Sequence, residues 1–293
     1  MSRNQNTAQK PQSQHKHIGM PSRRSLIGGF GGAALFSQIA IASAKQPLDP
    51  TTFVLVHGSF LGGWCWREVK NLLAQAGHTV YAPTLTGLGE RIHLRSAEIG
   101  LQTHITDITN LIEWEELTDL VLVGHSYGGT VITGVCDAIK DRIRHVIYLD
   151  SNVPRNGETN YPGVTRQAIE QVYGELDEGY LIPPPPLSDF GLTPDNVSAE
   201  IYAWYKRRLT AHPLQTYLEP LILEKGGSEG LPRTYIFCTA DRPKPYPPPL
   251  QALLNRVQGS SWSYKELDSG HNAMTLAPDE LCNMLLQATS LRL

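Results

Sequence analysis

The chain has 293 residues, 41% of them hydrophobic and 18% charged, a balance that suits one globular α/β domain with a sizeable core. Five of its 25 basic residues and none of its 28 acidic ones fall within residues 1–44, so the rest of the chain carries a net charge of −8. An acidic body without a basic patch excludes nucleic acid as a partner.

Residues 1–44 read as a targeting segment. A polar stretch leads to Ser22-Arg23-Arg24-Ser25-Leu26-Ile27, then to a Gly/Ala-rich apolar run from Gly28 to Ile41 and to Ala42-Ser43-Ala44. This is the order of n-region, h-region and A-x-A cleavage site, with an arginine pair of the twin-arginine export type. The expectation is an exported protein, periplasmic or secreted, cleaved near Ala44. The apolar run is too short and too rich in glycine to serve as a stable membrane anchor.

Phe53 to Gly58 is a short apolar run of the kind found in buried parallel strands. Trp64 to Ala76 reads as a helix closed by Gly77, and His78 to Ala82 as a second strand. His104 to Trp114 has helical periodicity and Asp119 to Gly124 is again a strand. A helix from Thr130 to Ile139 and a strand from His145 to Leu149 follow. From Pro154 to about Gly230 the alternation stops, with a proline run at Pro183 to Pro186 and two helical patterns. That stretch is too short for a core of its own and reads as a helical lid inserted above the sheet. Strand Thr234–Cys238, helix Pro249–Val257, strand Trp262–Leu267 and helix Pro278–Leu291 complete the chain. Strands alternating with helices predict a doubly wound, mostly parallel sheet in one domain over residues 45–293, with the lid at about 154–230.

Between the third strand and its helix lies Gly124-His125-Ser126-Tyr127-Gly128, a Gly-x-Ser-x-Gly pentapeptide in the strand–turn–helix context that presents a nucleophile. A serine hydroxyl needs a base to take its proton, and the base needs an acid to hold its tautomer. His271, in a loop after the last strand, is the candidate base, whereas His78, His93 and His145 read as surface or packing residues. The acid follows a strand and precedes the histidine. Asp241 fits that order first, Asp150 at the end of its strand is the alternative, and Asp268 reads as a turn residue. A tetrahedral intermediate needs two N–H donors: Tyr127 after the nucleophile, and Ser59 or Phe60 in the loop after His57-Gly58.

The four cysteines (Cys65, Cys136, Cys238 and Cys282) lie in apolar patterns without Cys-x-x-Cys spacing. They read as small buried hydrophobes, with one disulfide left open by export and no metal site expected.

Phe53-Val54-Leu55-Val56-His57-Gly58, Gly62-Gly63-Trp64-Cys65-Trp66, Gly124-His125-Ser126-Tyr127-Gly128-Gly129, Cys238-Thr239-Ala240-Asp241 and Gly270-His271-Asn272-Ala273-Met274 together resemble the α/β-hydrolase superfamily. Within it they resemble the branch of plant methylesterases, hydroxynitrile lyases and their bacterial relatives. The loop Thr84 to Arg91 adds a likeness to bacterial benzimidazole-carbamate (carbendazim-type) ester hydrolases. The resemblance covers about residues 52–290. It implies the α/β-hydrolase fold and cofactor-free hydrolysis of a small carboxylic or carbamate ester through an acyl-enzyme. It also implies triad roles for Ser126, Asp241 and His271 and oxyanion roles for Ser59 and Tyr127. Lyases of the branch carry threonine where this chain has Gly58 and lysine where it has Asn272, so ester hydrolysis is preferred to cyanide release. The alternatives are a lyase or C–C bond hydrolase on the same frame, and a binding protein that keeps the triad without using it.

Tyr202, Trp204 and Tyr205 share one helical pattern, Asn196 to Thr210. Simple packing is one reading of them. The other puts Trp204 and Tyr205 against the substrate, with Phe60, Leu61 and Trp64 opposite, in an apolar slot without a fixed cation that disfavours anionic esters.

Overall fold

The computed structural model describes residues 50–290 apart from Asp241, Pro243 and Ser260. The targeting segment therefore lies outside the described residues, as does Asp241.

Six parallel strands form one sheet, numbered here with the elements between them. They are β1 (Thr52–Val56), β2 (Thr79–Tyr81), β3 (Leu120–His125), β4 (Ile143–Leu149), β7 (Arg233–Cys238) and β8 (Ser263–Leu267), in the spatial order β2-β1-β3-β4-β7-β8. Phe53–Val56, Leu120–Val123 and Val146–Leu149 are wholly buried, which is why these strands are apolar runs rather than alternating ones. The step from β1 to β2 goes one way along the sheet and every later step goes the other. Right-handed crossovers then put α1 (Arg67–Gln75) on one face and α2 (Leu101–Trp114) and α3 (Gly128–Ile139) on the opposite face. Accordingly α1 packs on the closing helix α9 (Pro278–Ser290), and α2 on α3. The reversal beside β1 leaves a crevice outside the carboxyl ends of β1 and β3.

Between β4 and β7 the chain leaves the sheet. It forms α4 (Arg166–Tyr173), a two-residue antiparallel pairing of β5 (Leu181–Ile182) with the distant β6 (His212–Pro213), α5 (Ala199–Lys206) between those strands, and the single turn α6 (Gln215–Leu218). Thr165 and Ser198 cap α4 and α5 by accepting the amides of Ala168 (3.2 Å) and Ile201 (3.3 Å). The end of this excursion is tied to α3, where the Asp137 carboxylate accepts the amides of Glu224, Lys225 and Gly227 at 2.7–2.8 Å. Helices α7 (Pro248–Val257) and α8 (Ala273–Leu276) flank the last strand. The regular strands and long helices follow the sequence pattern. The short β5–β6 pair and the single turns α6 and α8 do not, because elements of two to four residues are too short to impose a period. The four cysteines are buried and free. Among the described residues no helix is long and apolar enough to cross a membrane.

Candidate active site

Five strand ends converge on one point. Ser59 and Phe60 follow β1, Ser126 follows β3, Asp150 follows β4, Arg242 follows β7 and His271 follows β8. Phe60, Ser126 and Asp150 hold φ of 67°, 54° and 44°, so three site loops carry non-glycine residues in the left-handed region. Such conformations cost free energy and persist where the surroundings over-determine them. At Ser126 the determinants are visible. Its amide donates to Leu149 O (3.1 Å) and its carbonyl accepts from Gly129 (3.0 Å). A Cβ on Gly128 would lie 2.7 Å from Val56 O, so the turn closes only with glycine there.

Ser126 Oγ is 3.0 Å from His271 Nε2, and His271 Nδ1 is 2.5 Å from Asp150 Oδ2. The ring therefore donates from Nδ1 to the carboxylate and presents Nε2 to the serine hydroxyl. Among the described residues the carboxylate that His271 meets is Asp150, the alternative to Asp241 in the strand-order expectation. Asp150 turns inward through its left-handed backbone, its side chain only 1% exposed. Its other oxygen accepts the Cys238 amide (3.3 Å), and Arg242 pairs with the same oxygen that His271 uses.

His125 supports the base from below. Its Nε2 donates to His271 O at 2.9 Å and the two rings lie tilted at 43° to each other with centroids 4.6 Å apart. Burial first, and the neighbouring His271 second, hold His125 far below the usual histidine range, so it is neutral. Two further buried histidines wire the loops around the crevice. His57 accepts the Leu85 amide (3.0 Å) and donates to Gly58 O (2.8 Å), while His104 accepts from Tyr127 OH (2.9 Å) and donates to Thr86 O (3.0 Å). Burial lowers both to about 4. His212 accepts the Phe60 amide at 3.5 Å, whereas the amides of Ser59 and Tyr127 have no acceptor among the described residues. Tyr217 OH donates to Ser59 Oγ at 2.6 Å.

Ser126 and His271 open onto two cavities. The smaller, about 130 Å³, is lined by Ser59, Phe60, Leu61, Tyr173, Phe190 and Tyr217 among others. The larger, about 390 Å³, is lined by Asn152, Ser188, Leu250, Leu253 and Arg242 among others, and Asp189 and Tyr161 border both. Phe60 and Leu61 line the smaller of these cavities. Trp64, Trp204 and Tyr205 do not. They pack on one another, Trp64 lying 4.8 Å from Trp204 and 5.0 Å from Tyr205, with Arg67 and Arg208 each 4.6 Å from the Trp204 ring. Tyr205 is buried, its hydroxyl bonded to Thr275 Oγ1. Packing is the correct reading of this cluster, because the pairing partner of α5 is the turn after β1 rather than the crevice. The slot does hold a cation, Arg242, although that guanidinium is engaged by Asp150. Tyr161, Tyr173, Asp189 and Tyr217 were not legible as site residues, since they are scattered over an irregular segment without a motif.

A serine–histidine pair at the carboxyl edge of a parallel sheet is the arrangement of a serine hydrolase. A model of the alpha/beta hydrolase family matches residues 53–284, and the chain belongs to that family. Carbendazim hydrolyzing esterase of a Nocardioides species is 38% identical over 244 residues, covering 80% of this chain and 97% of that one. Methylesterase 17 of Arabidopsis thaliana is 28% identical over 269 residues, covering 83% and 93%. Among solved structures, an extracellular α/β-hydrolase from a Paenibacillus species is 27% identical with a TM-score of 0.68, covering 82% of this chain and 99% of that one. It is described as sharing structural and functional homology with tobacco salicylic acid binding protein 2.

Proposed function

We propose that the protein hydrolyses a small carboxylic or carbamate ester through an acyl-enzyme on Ser126. The observation that carries this reading is the chain of contacts Ser126 Oγ–His271 Nε2 (3.0 Å) and His271 Nδ1–Asp150 Oδ2 (2.5 Å). As Oγ attacks the carbonyl carbon, its proton passes to Nε2, and the Asp150 carboxylate stabilises the imidazolium. The oxyanion is held by the amides of Ser59 and Tyr127. His271 then gives the proton to the departing alkoxide. In the second half it takes a proton from a water molecule that attacks the acyl carbon and passes it to Ser126 Oγ as the acyl–Oγ bond breaks, releasing the acid. The names of the relatives, a carbendazim hydrolyzing esterase and a methylesterase, support the reading of an ester hydrolase.

Cyanohydrin cleavage is disfavoured at two positions. A Cβ on Gly58 would come within 2.9 Å of Ser126 Cβ, and the residue after His271 is the buried neutral amide of Asn272 rather than a lysine. We further propose that residues 154–230 act as the lid, supported by Tyr161, Tyr173, Phe190 and Tyr217 in the cavity walls. Export with cleavage near Ala44 is proposed on the order of the signal parts, and mass spectrometry of the mature N-terminus tests it. For the chemistry, Ser126→Ala should lower p-nitrophenyl acetate turnover by on the order of 10³-fold or more. Wild-type activity in that variant would reject the nucleophile.

A further inference from the structure

Ser59 follows β1 in the loop whose amide is aimed at the oxyanion, a role for which the backbone alone suffices. Its hydroxyl is a separate matter. Ser59 is only 7% exposed and lines the cavity of about 130 Å³ together with Ser126, His271 and Tyr217.

Hydrogen bonds from the segment after α5 fix this loop. The Thr210 amide donates to Phe60 O (3.0 Å), His212 Nδ1 accepts the Phe60 amide (3.5 Å), and Tyr217 OH donates to Ser59 Oγ (2.6 Å). The bond to His212 withdraws the Phe60 amide, which leaves the Ser59 amide for the oxyanion. The bond from Tyr217 sets a direction. Burial above all holds the Tyr217 phenol far above the usual tyrosine range, so it keeps its proton and remains a donor. A serine hydroxyl has one proton and two acceptor lone pairs. Tyr217 occupies a lone pair, and the Ser59 hydroxyl proton has no acceptor among the described residues. A buried donor without an acceptor costs free energy, which points to an acceptor that arrives in the course of function. The amide nitrogen and Oγ of one serine are separated only by Cα and Cβ, so both can donate to a single oxygen.

We propose that the Ser59 hydroxyl is a third oxyanion donor, beside the amides of Ser59 and Tyr127, and that Tyr217 is the positioning residue that turns its proton toward the reacting carbonyl oxygen. This rests on the proposed serine-esterase reading of the same site. As Ser126 Oγ bonds to the carbonyl carbon, the C=O π pair moves onto oxygen and the Oγ proton goes to His271 Nε2. The Ser59 proton stays on its own oxygen throughout. Its hydrogen bond strengthens as the charge grows, which lowers the barrier more than it tightens ground-state binding.

The test is hydrolysis of p-nitrophenyl acetate by Ser59→Ala, Tyr217→Phe and the double variant, with the urea midpoint of each. Ser59→Ala keeps the amide and should lower kcat about 10- to 100-fold, with KM within about threefold of the wild type. Tyr217→Phe leaves the hydroxyl unaimed and should lower kcat about three- to tenfold, yet cost less than about twofold once Ser59 is alanine. A trifluoromethyl ketone, which adds Ser126 Oγ and becomes an oxyanion, should bind Ser59→Ala more weakly by about the factor lost in kcat. The matched methyl ketone should change less than about twofold. A purely structural role would lower the urea midpoint and leave that contrast flat. Wild-type kcat in Ser59→Ala, an equal loss for both ketones, or a Tyr217→Phe effect that persists in full without the Ser59 hydroxyl would overturn the assignment. Failure of the underlying reading looks different: Ser126→Ala would then keep hydrolysing the same ester.

Discussion

Asp150 Oδ2 lies 2.5 Å from His271 Nδ1, and the residues that it joins stand 121 positions apart at the ends of β4 and β8. The same oxygen carries the Arg242 guanidinium, so one buried carboxylate serves two cationic partners when the histidine is protonated. Its removal should be felt as loss of the correct tautomer. Asp150→Asn is expected to reduce kcat on p-nitrophenyl acetate by on the order of 10³- to 10⁴-fold, while Asp241→Asn stays within about threefold of the wild type. The reverse pattern would return the acid role to Asp241.

Trp204 is a packing residue held between two arginines and Trp64. Trp204→Ala should cost about 2 kcal/mol of stability, less than a fully buried tryptophan because the side chain is half-buried. The ranking of ester substrates should not change. Urea denaturation and a kcat/KM series read the two effects separately, and a reordered series with intact stability would restore Trp204 to the pocket wall.

Asp189 borders both cavities and makes no ion pair among the described residues, whereas the nearby Arg242 is engaged by Asp150. The site therefore offers an anionic substrate an uncompensated negative charge. Neutral esters should be hydrolysed better than matched esters with a second carboxylate. Asp189→Asn should narrow that gap by about three- to tenfold at low salt. An anionic ester preferred by the wild type would contradict the charge argument.

His57 and His104 are lowered by burial from 6.5 to about 4. Between those values the unfolded chain binds protons that the native chain does not, so stability is full above pH 6.5 and falls as the pH drops toward 4. At the lower end each histidine contributes a loss of about 3 kcal/mol. The urea midpoint should therefore decrease steeply from pH 7 to pH 4.5. A midpoint constant over that range would show that these histidines are not held neutral.

The sequence by itself determined the sheet and singled out Ser126 and His271 as the proposed nucleophile and base. A buried parallel strand must be a continuous apolar run, and a nucleophile at such a strand end needs glycine at Gly128 to clear the Val56 carbonyl, so both leave local signals. Ser126, His271 and the loop after His57 were legible for that reason. The acid was not. Asp150 and Asp241 each follow a strand, and the choice between them rests on which carboxylate a left-handed turn aims at a ring 121 residues later. The pocket walls were equally hidden. An aromatic on a helix looks the same in sequence whether it meets a substrate or another ring, and only the docking of α5 on Trp64 decided that Trp204 and Tyr205 pack. Local pattern fixes which residues can do chemistry, because covalent neighbours set their backbone. Tertiary packing fixes which distant side chains meet them, because that depends on how separately encoded elements share one core.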